Sequence, residues 1–466
     1  MTITPPATID AATINKTLRA TFDSGRTRST TWRKEQIAGL RRMMEEGEAE
    51  LIEALRQDLG RPTVEAFAAD IGHTKAELRH IAKHLERWAK PTKIRVPITV
   101  APAKGWVQPE PLGVALIISP WNYPIQLLVE PMAAALAAGN CVLAKPSELA
   151  PACSAVLARL LTTYLDNDAV IVVEGGVEET TALLAERWDH IFFTGSTAVG
   201  RVVAAAAAKH LTPTVLELGG KSPTYVHASA NLDVAARRIA WGKFLNAGQT
   251  CIAPDYILAD ASIQDALVDK LTAQIDAFYG ADPQGSSSFG RIVNDRHLSR
   301  LKGLLDRGAG SVAAGGTIDE VARYVAPTIT VDPSLDSPIM QEEIFGPILP
   351  VLSVDGPADA VAFITARPKP LSLYVFADEQ AAIDTVVDGT SSGGVCINHT
   401  LMHLLPADLP FGGVGDSGMG AYHGKSGFDA FSHHKSVLRK PIKPDLKMLY
   451  PPYKPTVERL IRKLLR

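Results

Sequence analysis

Val114-Ala115-Leu116-Ile117-Ile118, followed by Ser119-Pro120-Trp121-Asn122, is the stretch whose reading decides the fold. An unbroken apolar run of five, closed by a Ser-Pro turn, reads as a strand buried on both faces. Residues 125–138 then turn helical in pattern, and the motif repeats. Residues 141–144, 170–173, 190–193 and 215–218 read as further buried strands, with helices at 152–165 and 197–209. Strand and helix in alternation predict an α/β architecture, a parallel sheet with helices on its faces. Ligands bind such sheets at the carboxyl ends of the strands, an edge that here carries Asn122, Lys145, Gly195 and Glu217.

Upstream, residues 29–91 are helical, with Ile37, Leu40 and Met44 on one stripe and Leu78, Ile81, Leu85 and Trp88 on another. Gly60, before Arg61-Pro62, stops the first helix. Residues 92–111 change to short β-type runs broken by prolines, as in Val96-Pro97-Ile98-Thr99-Val100. Such an arm has too little apolar surface to stand alone and is expected to pair with another element or subunit. Downstream, a helical run over 232–246 leads into Gly248-Gln249-Thr250-Cys251-Ile252-Ala253-Pro254-Asp255. Strands and helices continue to Asn398, enough for a second α/β domain, and residues 431–441 read as a last strand joining the arm. The tail, 457–466, alternates Leu460, Ile461, Leu464 and Leu465 with Arg459, Arg462, Lys463 and Arg466, a short basic amphipathic helix. One brief helix binds an anionic membrane weakly, so packing against a partner subunit is the preferred reading.

A chain of 466 residues holds two or three domains, and a net charge of -3 leaves no basic footprint for nucleic acid. The four cysteines, Cys141, Cys153, Cys251 and Cys396, lack metal-ligand spacing and suit a reducing cytoplasm. His399, His403 and His423 match no zinc motif. Residues 1–10 show neither a charged nor an apolar signal region, and no apolar window is long enough to span a bilayer.

Two features carry chemistry. Cys251 sits among small and hydroxylic residues where a substrate can approach, and a thiolate attacks carbon well. Glu217 lies in Val215-Leu216-Glu217-Leu218-Gly219-Gly220, an apolar run that desolvates its carboxylate and raises its pKa toward that of a general base. Gly195-Ser196-Thr197-Ala198-Val199-Gly200 has G-x-x-x-x-G spacing rather than a dinucleotide fingerprint, and fits either a phosphate-binding turn or an ordinary helix start. Gly220-Lys221-Ser222 is not a P-loop, because Val215 stands where its first glycine belongs. In Lys145-Pro146-Ser147-Glu148, Ser147 can cap a helix and Glu148 can favour its positive end.

Glu217-Leu218-Gly219-Gly220-Lys221-Ser222-Pro223, with Cys251 standing 34 positions after Glu217, resembles the paired signatures of the aldehyde dehydrogenase superfamily. The resemblance continues through Pro120-Trp121-Asn122-Tyr123-Pro124, Lys145-Pro146-Ser147-Glu148, Phe193-Thr194-Gly195-Ser196, Glu343-Ile344-Phe345-Gly346-Pro347 and Pro410-Phe411-Gly412-Gly413. The lone cysteine before Ile-Ala-Pro-Asp-Tyr, and the ending Tyr422-His423-Gly424-Lys425 with Phe431-Ser432-His433-His434-Lys435, are similar to the class 3 branch. The resemblance implies a Rossmann-like cofactor domain over 1–91 and 112–220, a catalytic α/β domain over 221–428, a β dimerisation arm over 92–111 and 429–445, and a tail over 446–466.

It also implies a homodimer, medium- or long-chain aliphatic or aromatic aldehydes as substrates, and a nicotinamide cofactor. Trp121, Gly195, Ser196 and Gly200 are assigned to that cofactor, Lys145, Ser147 and Glu148 to its adenosine ribose, Glu343 to its nicotinamide ribose and Phe345 to the ring. A carboxylate near the ribose 2'-hydroxyl favours NAD, and the lysine leaves NADP open. In the implied reaction Cys251 adds to the carbonyl, Asn122 and the Cys251 N–H stabilise the oxyanion, and Glu217 activates the water that releases the acid. Glu343 is the second carboxylate that the motifs bring near. Where class 3 relatives have asparagine this chain has Asp416, which bears on a turn. Two rivals are a CoA-acylating dehydrogenase, which has no need of Glu217, and a non-catalytic protein of the same fold at a membrane surface, which has no need of Cys251, Glu217 and Asn122 together.

Overall fold

In the computed structural model, which describes residues 9–445, 447 and 450–464, the strand Val114–Ile118 forms as read and is buried throughout. Its parallel neighbours are Cys141–Lys145 and His190–Thr194. The whole sheet runs Gly418–Met419, Thr214–Glu217, His190–Thr194, Val114–Ile118, Cys141–Lys145, Val170–Val172, with Gly418–Met419 antiparallel. Strand order reverses between Val114–Ile118 and His190–Thr194, so the connections leave a crevice at their carboxyl ends. The helix Gln126–Ala138 is buried along its whole length beneath that crevice. Apart from Gln126 and Glu130 its residues are apolar on every side, and such a helix is stable only inside.

A second sheet runs Ser311–Ala314, Thr328–Val331, Ile348–Val354, Tyr256–Asp260, Pro223–Val226, Ser372–Phe376, Gly394–Ile397. It too is parallel apart from Ser311–Ala314. The two sheets make the α/β architecture expected from the alternation.

The N-terminal region packs as helices Ala11–Asp23, Thr30–Glu46, Glu48–Leu59 and His73–Trp88. The first helical pattern breaks at Gly47 as well as at Gly60. A Cβ on Gly47 would stand 2.8 Å from Leu160, so the chain bends to admit its neighbour. Gly60 ends the second helix at φ +58, a conformation that suits glycine. Beyond Pro62 the chain winds as a π-helix over Ala66–Gly72.

Thr92–Ile94, Lys104–Pro111 and Ser432–Arg439 form a three-stranded antiparallel arm, with Ser432 opposite Pro111 and Arg439 opposite Lys104. The β reading of Val96 to Val100 is corrected: Ile98–Val100 is a single 3-10 turn following extended Pro97. Pro97 and Pro102 flank the turn and bring no N–H donors to a ladder. The tail helix is Pro455–Leu464; the readings that fall on Met1 to Thr8, Leu465 and Arg466 lie outside the described residues.

Candidate active site

The helix read over 232–246 ends at Phe244, because Asn246 and Ala247 adopt φ +53 and +51. Two successive left-handed residues cannot continue a right-handed helix, and holding them there costs energy that the surroundings must supply. Asn246 Nδ2 donates to the carbonyls of Asn122 at 3.0 Å and Gln249 at 3.1 Å, and its backbone N–H donates to Glu65 at 2.9 Å. Gln249 Nε2 donates to the carbonyls of Asn246 at 3.0 Å and Arg291 at 2.9 Å. Beyond this kink Tyr374 Oη donates to the Ile252 carbonyl at 2.5 Å, while Tyr123 and Thr250 hydroxyls bond at 2.7 Å. Cys251 thus sits in a loop tied on both sides of its own position.

Asn122 is 3 % exposed, and its Nδ2 donates one hydrogen to the Gln249 carbonyl at 3.1 Å. That bond fixes the amide plane against the cysteine loop and leaves the second amide hydrogen for a ligand oxygen. Arg61, wholly buried, donates to the Asn122 carbonyl and to Asn246 Oδ1, and pairs with Asp70. Asp70 in turn accepts the N–H groups of Ile125 at 3.2 Å and Gln126 at 2.9 Å.

Glu217 ends the strand Thr214–Glu217, 2 % exposed, with neither carboxylate oxygen hydrogen-bonded. Burial alone pushes its pKa well above the carboxylate range, as the apolar run predicts. Glu343 is pushed up to about 8 by burial and by nearby Asp255, against the pull of the Gly220 N–H, Lys221 and Arg300. Cys251 is raised to about 12 by burial, with Glu343 and Glu217 adding to the shift, while the N–H groups of Cys251 and Ile252 pull it down. The resting residue is therefore a thiol rather than the thiolate that reacts. Three acidic groups share one poorly solvated space, so their charges exclude one another.

One face of Cys251 opens on an apolar cavity of about 210 Å³ walled by Tyr123, Leu127, Trp241, Ile252, Phe411 and Tyr422. A separate crevice of about 500 Å³ lies between the two sheets, lined by Thr197, Gly219, Lys221, Glu343, Lys369 and Asp416. A Cβ on Gly219 would collide with the Glu343 carboxylate, and Glu343 Oε1 is buried without a partner. Such a cradle with an unsatisfied acceptor suits a ribose hydroxyl. Trp121 and Phe345 meet edge to face at 5.3 Å, and Phe345 holds φ +46, a conformation strained for a non-glycine.

The exposed Ser196 caps the helix Thr197–Ala208, its Oγ accepting the Val199 N–H at 3.4 Å, and the N-terminus of that helix faces the crevice edge. Gly200 serves packing, since a side chain there would strike Leu218. Lys145 is buried at the end of its strand, donating to the Pro146 carbonyl at 2.8 Å, and stands 3.6 Å from Glu148. Ser147 Oγ accepts the Leu149 N–H at 3.2 Å; it does not cap the next helix, Pro151–Tyr164. Asp58 caps that helix from outside, accepting the N–H groups of Ala152 at 3.1 Å and Cys153 at 2.8 Å. Lys221 pairs with Asp255 and donates to the Ile339 and Glu342 carbonyls, so it is committed to protein rather than phosphate. Asp416 bonds Arg201 at 3.1 Å on the surface.

Sequence reading missed Arg61, Asn246 and Gln249 as supports of Cys251 and Asn122. Nothing local marks them: Arg61 is 185 positions from Asn246 and 61 from Asn122.

A model of the Aldehyde dehydrogenase family matches residues 4–437. The "Aldehyde dehydrogenase, dimeric NADP-preferring" of Rattus norvegicus is 49 % identical over 439 residues, covering 94 % of this chain and 96 % of the relative. An aldehyde dehydrogenase of Craterostigma plantagineum is 46 % identical over 450 residues, covering 96 % and 94 %. Among solved structures, the substrate-bound state of Staphylococcus aureus AldH superposes with a TM-score of 0.96 at 44 % identity over 100 % of both chains. The chain belongs to the aldehyde dehydrogenase family, and it is an NAD(P)-dependent enzyme that oxidises aldehydes to carboxylic acids.

Proposed function

We propose that the substrates are medium- or long-chain aliphatic or aromatic aldehydes, held in the apolar cavity with the carbonyl at Cys251. The placement of Cys251 between that cavity and the buried carboxylates Glu217 and Glu343 carries this reading. A cavity with almost no polar lining selects for apolar chains by excluding water from their surface.

Cys251 gives up its proton to a neighbouring carboxylate, and its sulfur forms a bond to the carbonyl carbon. The second amide hydrogen of Asn122 and the Cys251 N–H donate to the oxygen as it gains charge. A bound nicotinamide supplies the acceptor for the hydride that leaves the same carbon. Glu343 would hold its ribose, Trp121 and Phe345 would flank its ring, and the Ser196 helix start with Lys145, Ser147 and Glu148 would receive the rest. Glu217 then takes a proton from water as the water attacks the Cys251 thioester, and the acid departs with Cys251 restored. This water-activating carboxylate disfavours transfer to CoA.

Lys145 beside Glu148 offers a carboxylate to ribose hydroxyls and a cation to a 2'-phosphate, which supports NAD use with NADP accepted. The arm supports a homodimer: it leaves Ile94, Ile98 and Leu438 exposed at 51 %, 80 % and 54 %, and the rat relative is named dimeric. The tail helix is assigned to that partner subunit. Four free cysteines support a cytoplasmic location.

The test is NAD(P)H formation by purified protein with NAD or NADP and a series from propanal to decanal and benzaldehyde. The specificity constant is expected to rise with chain length, and Cys251→Ala to abolish the signal. Turnover that survives in C251A, or a preference for propanal, would overturn the reading.

A further inference from the structure

Glu130 plays no part in the chemistry described above, yet its carboxylate is heavily bonded and reaches His73, which lines the substrate cavity. It projects from the helix Gln126–Ala138 and is 2 % exposed. Its oxygens bond His73 Nδ1 at 2.7 Å, Thr74 Oγ1 at 3.4 Å and Gln126 Nε2 at 3.4 Å, while His423 Nε2 stands 3.4 Å away, within ion-pair reach but without hydrogen-bond geometry. The two histidines come from segments far apart in the chain, and their rings meet with centres 5.7 Å apart. His73 begins the helix His73–Trp88, directly after the π-helical turn Ala66–Gly72, and lines the cavity itself. His423 holds a left-handed φ of +76, stacks on Phe411 with ring centres 5.5 Å apart, and follows Tyr422; Phe411 and Tyr422 also line the cavity.

We propose that Glu130 is a positioning residue for substrate recognition, a buried latch that draws the His73 wall and the Phe411–Tyr422–His423 wall together and so sets the cavity's fit to long aldehydes. The proposal rests on the reading that this cavity holds the aldehyde chain.

A buried carboxylate is costly unless its partners are well placed, so the latch is specific to this geometry. Burial works against charge on both groups, but their mutual attraction prevails: Glu130 is held down to about 2 and His73 is lifted to about 9. The other titratable groups around His73 are Glu77 on its own helix, and His403 and His423 on the facing segment. Glu77 accepts the Gly424 N–H at 2.7 Å and is pushed up by burial and by Glu130; burial holds His403 down to about 4. The His73–Glu130 pair is therefore intact through neutral pH and is lost as pH rises through about 9.

The experiment compares specificity constants for decanal and propanal, whose ratio cancels the titration of Cys251. In Glu130→Gln the KM for decanal is expected to rise about tenfold while kcat for propanal stays within about twofold. In the wild type the decanal-to-propanal ratio is expected to fall above about pH 9, and in E130Q to be flat across that range. His73→Gln, at a residue that lines the cavity itself, is the second variant and is expected to raise the decanal KM similarly. An unchanged ratio in both variants overturns the latch, as does an equal loss of kcat for both aldehydes. A wild type that shows no chain-length preference at any pH overturns the cavity reading beneath it instead.

Discussion

Glu217→Gln isolates the step at which water enters. Glutamine keeps the shape of the side chain but cannot accept a proton, so formation of the acyl-cysteine should survive and its hydrolysis should not. A positioned general base contributes about 10²- to 10⁴-fold, which sets the expected loss in steady turnover. Stopped-flow NAD(P)H absorbance with saturating decanal should show a burst of one equivalent per active site followed by that slow rate. The structure adds a second readout, in stability. Glu217 is raised by burial from 4.5, so the folded chain holds a proton that the unfolded chain releases above that pH. Stability from this group is full below about pH 4.5 and falls by about 1.4 kcal/mol for each further pH unit, up to its folded pKa. E217Q removes that slope, and its Tm should match the wild type at low pH and exceed it at pH 8. A variant without a burst would mean that Glu217 acts earlier, as acceptor of the Cys251 proton. Full turnover in E217Q, with deacylation lost in Glu343→Gln, would assign the base to Glu343.

Asn122→Ala should lower kcat about 10²- to 10³-fold with the cofactor Kd unchanged by fluorescence titration, because one oxyanion donor is lost. Arg61→Met leaves Asp70 buried without its cation and removes one of the two donors to the Asn122 carbonyl. We expect destabilisation by about 3 kcal/mol in denaturant unfolding, and a fall in kcat larger than any change in KM. Ile94 and Leu438 both stand opposite Gly105 in the arm, on one face of its sheet. The double change Ile94→Asp with Leu438→Asp should convert dimer to monomer by light scattering; an unaltered dimer would place the interface elsewhere.

The parallel sheet was legible because its strands are unbroken apolar runs, a local signal that needs no knowledge of neighbours. Glu217 and Cys251 were legible for a related reason: each stands out chemically against its own flanks. Phe345 and Glu343 were read only through the resemblance, since a glutamate on a turn beside a phenylalanine has no local mark of function. The arm was half legible. Its prolines signalled irregularity, but whether Val96 to Val100 would pair or turn depended on which neighbour could supply hydrogen bonds.

Sequence by itself determined the fold class and singled out Cys251 and Glu217 as candidate nucleophile and base, since all three follow from apolar periodicity and from single residues out of keeping with their surroundings. Tertiary structure alone decided the desolvation of Cys251, the capping of Pro151–Tyr164 by Asp58 rather than Ser147, and the union of Arg61, Asn122 and Asn246. It alone brought His73, Glu130 and His423 together beside the cavity. Desolvation, capping and ion pairing depend on the distance between groups, and chain folding brings together residues whose separation in sequence carries no trace of that distance.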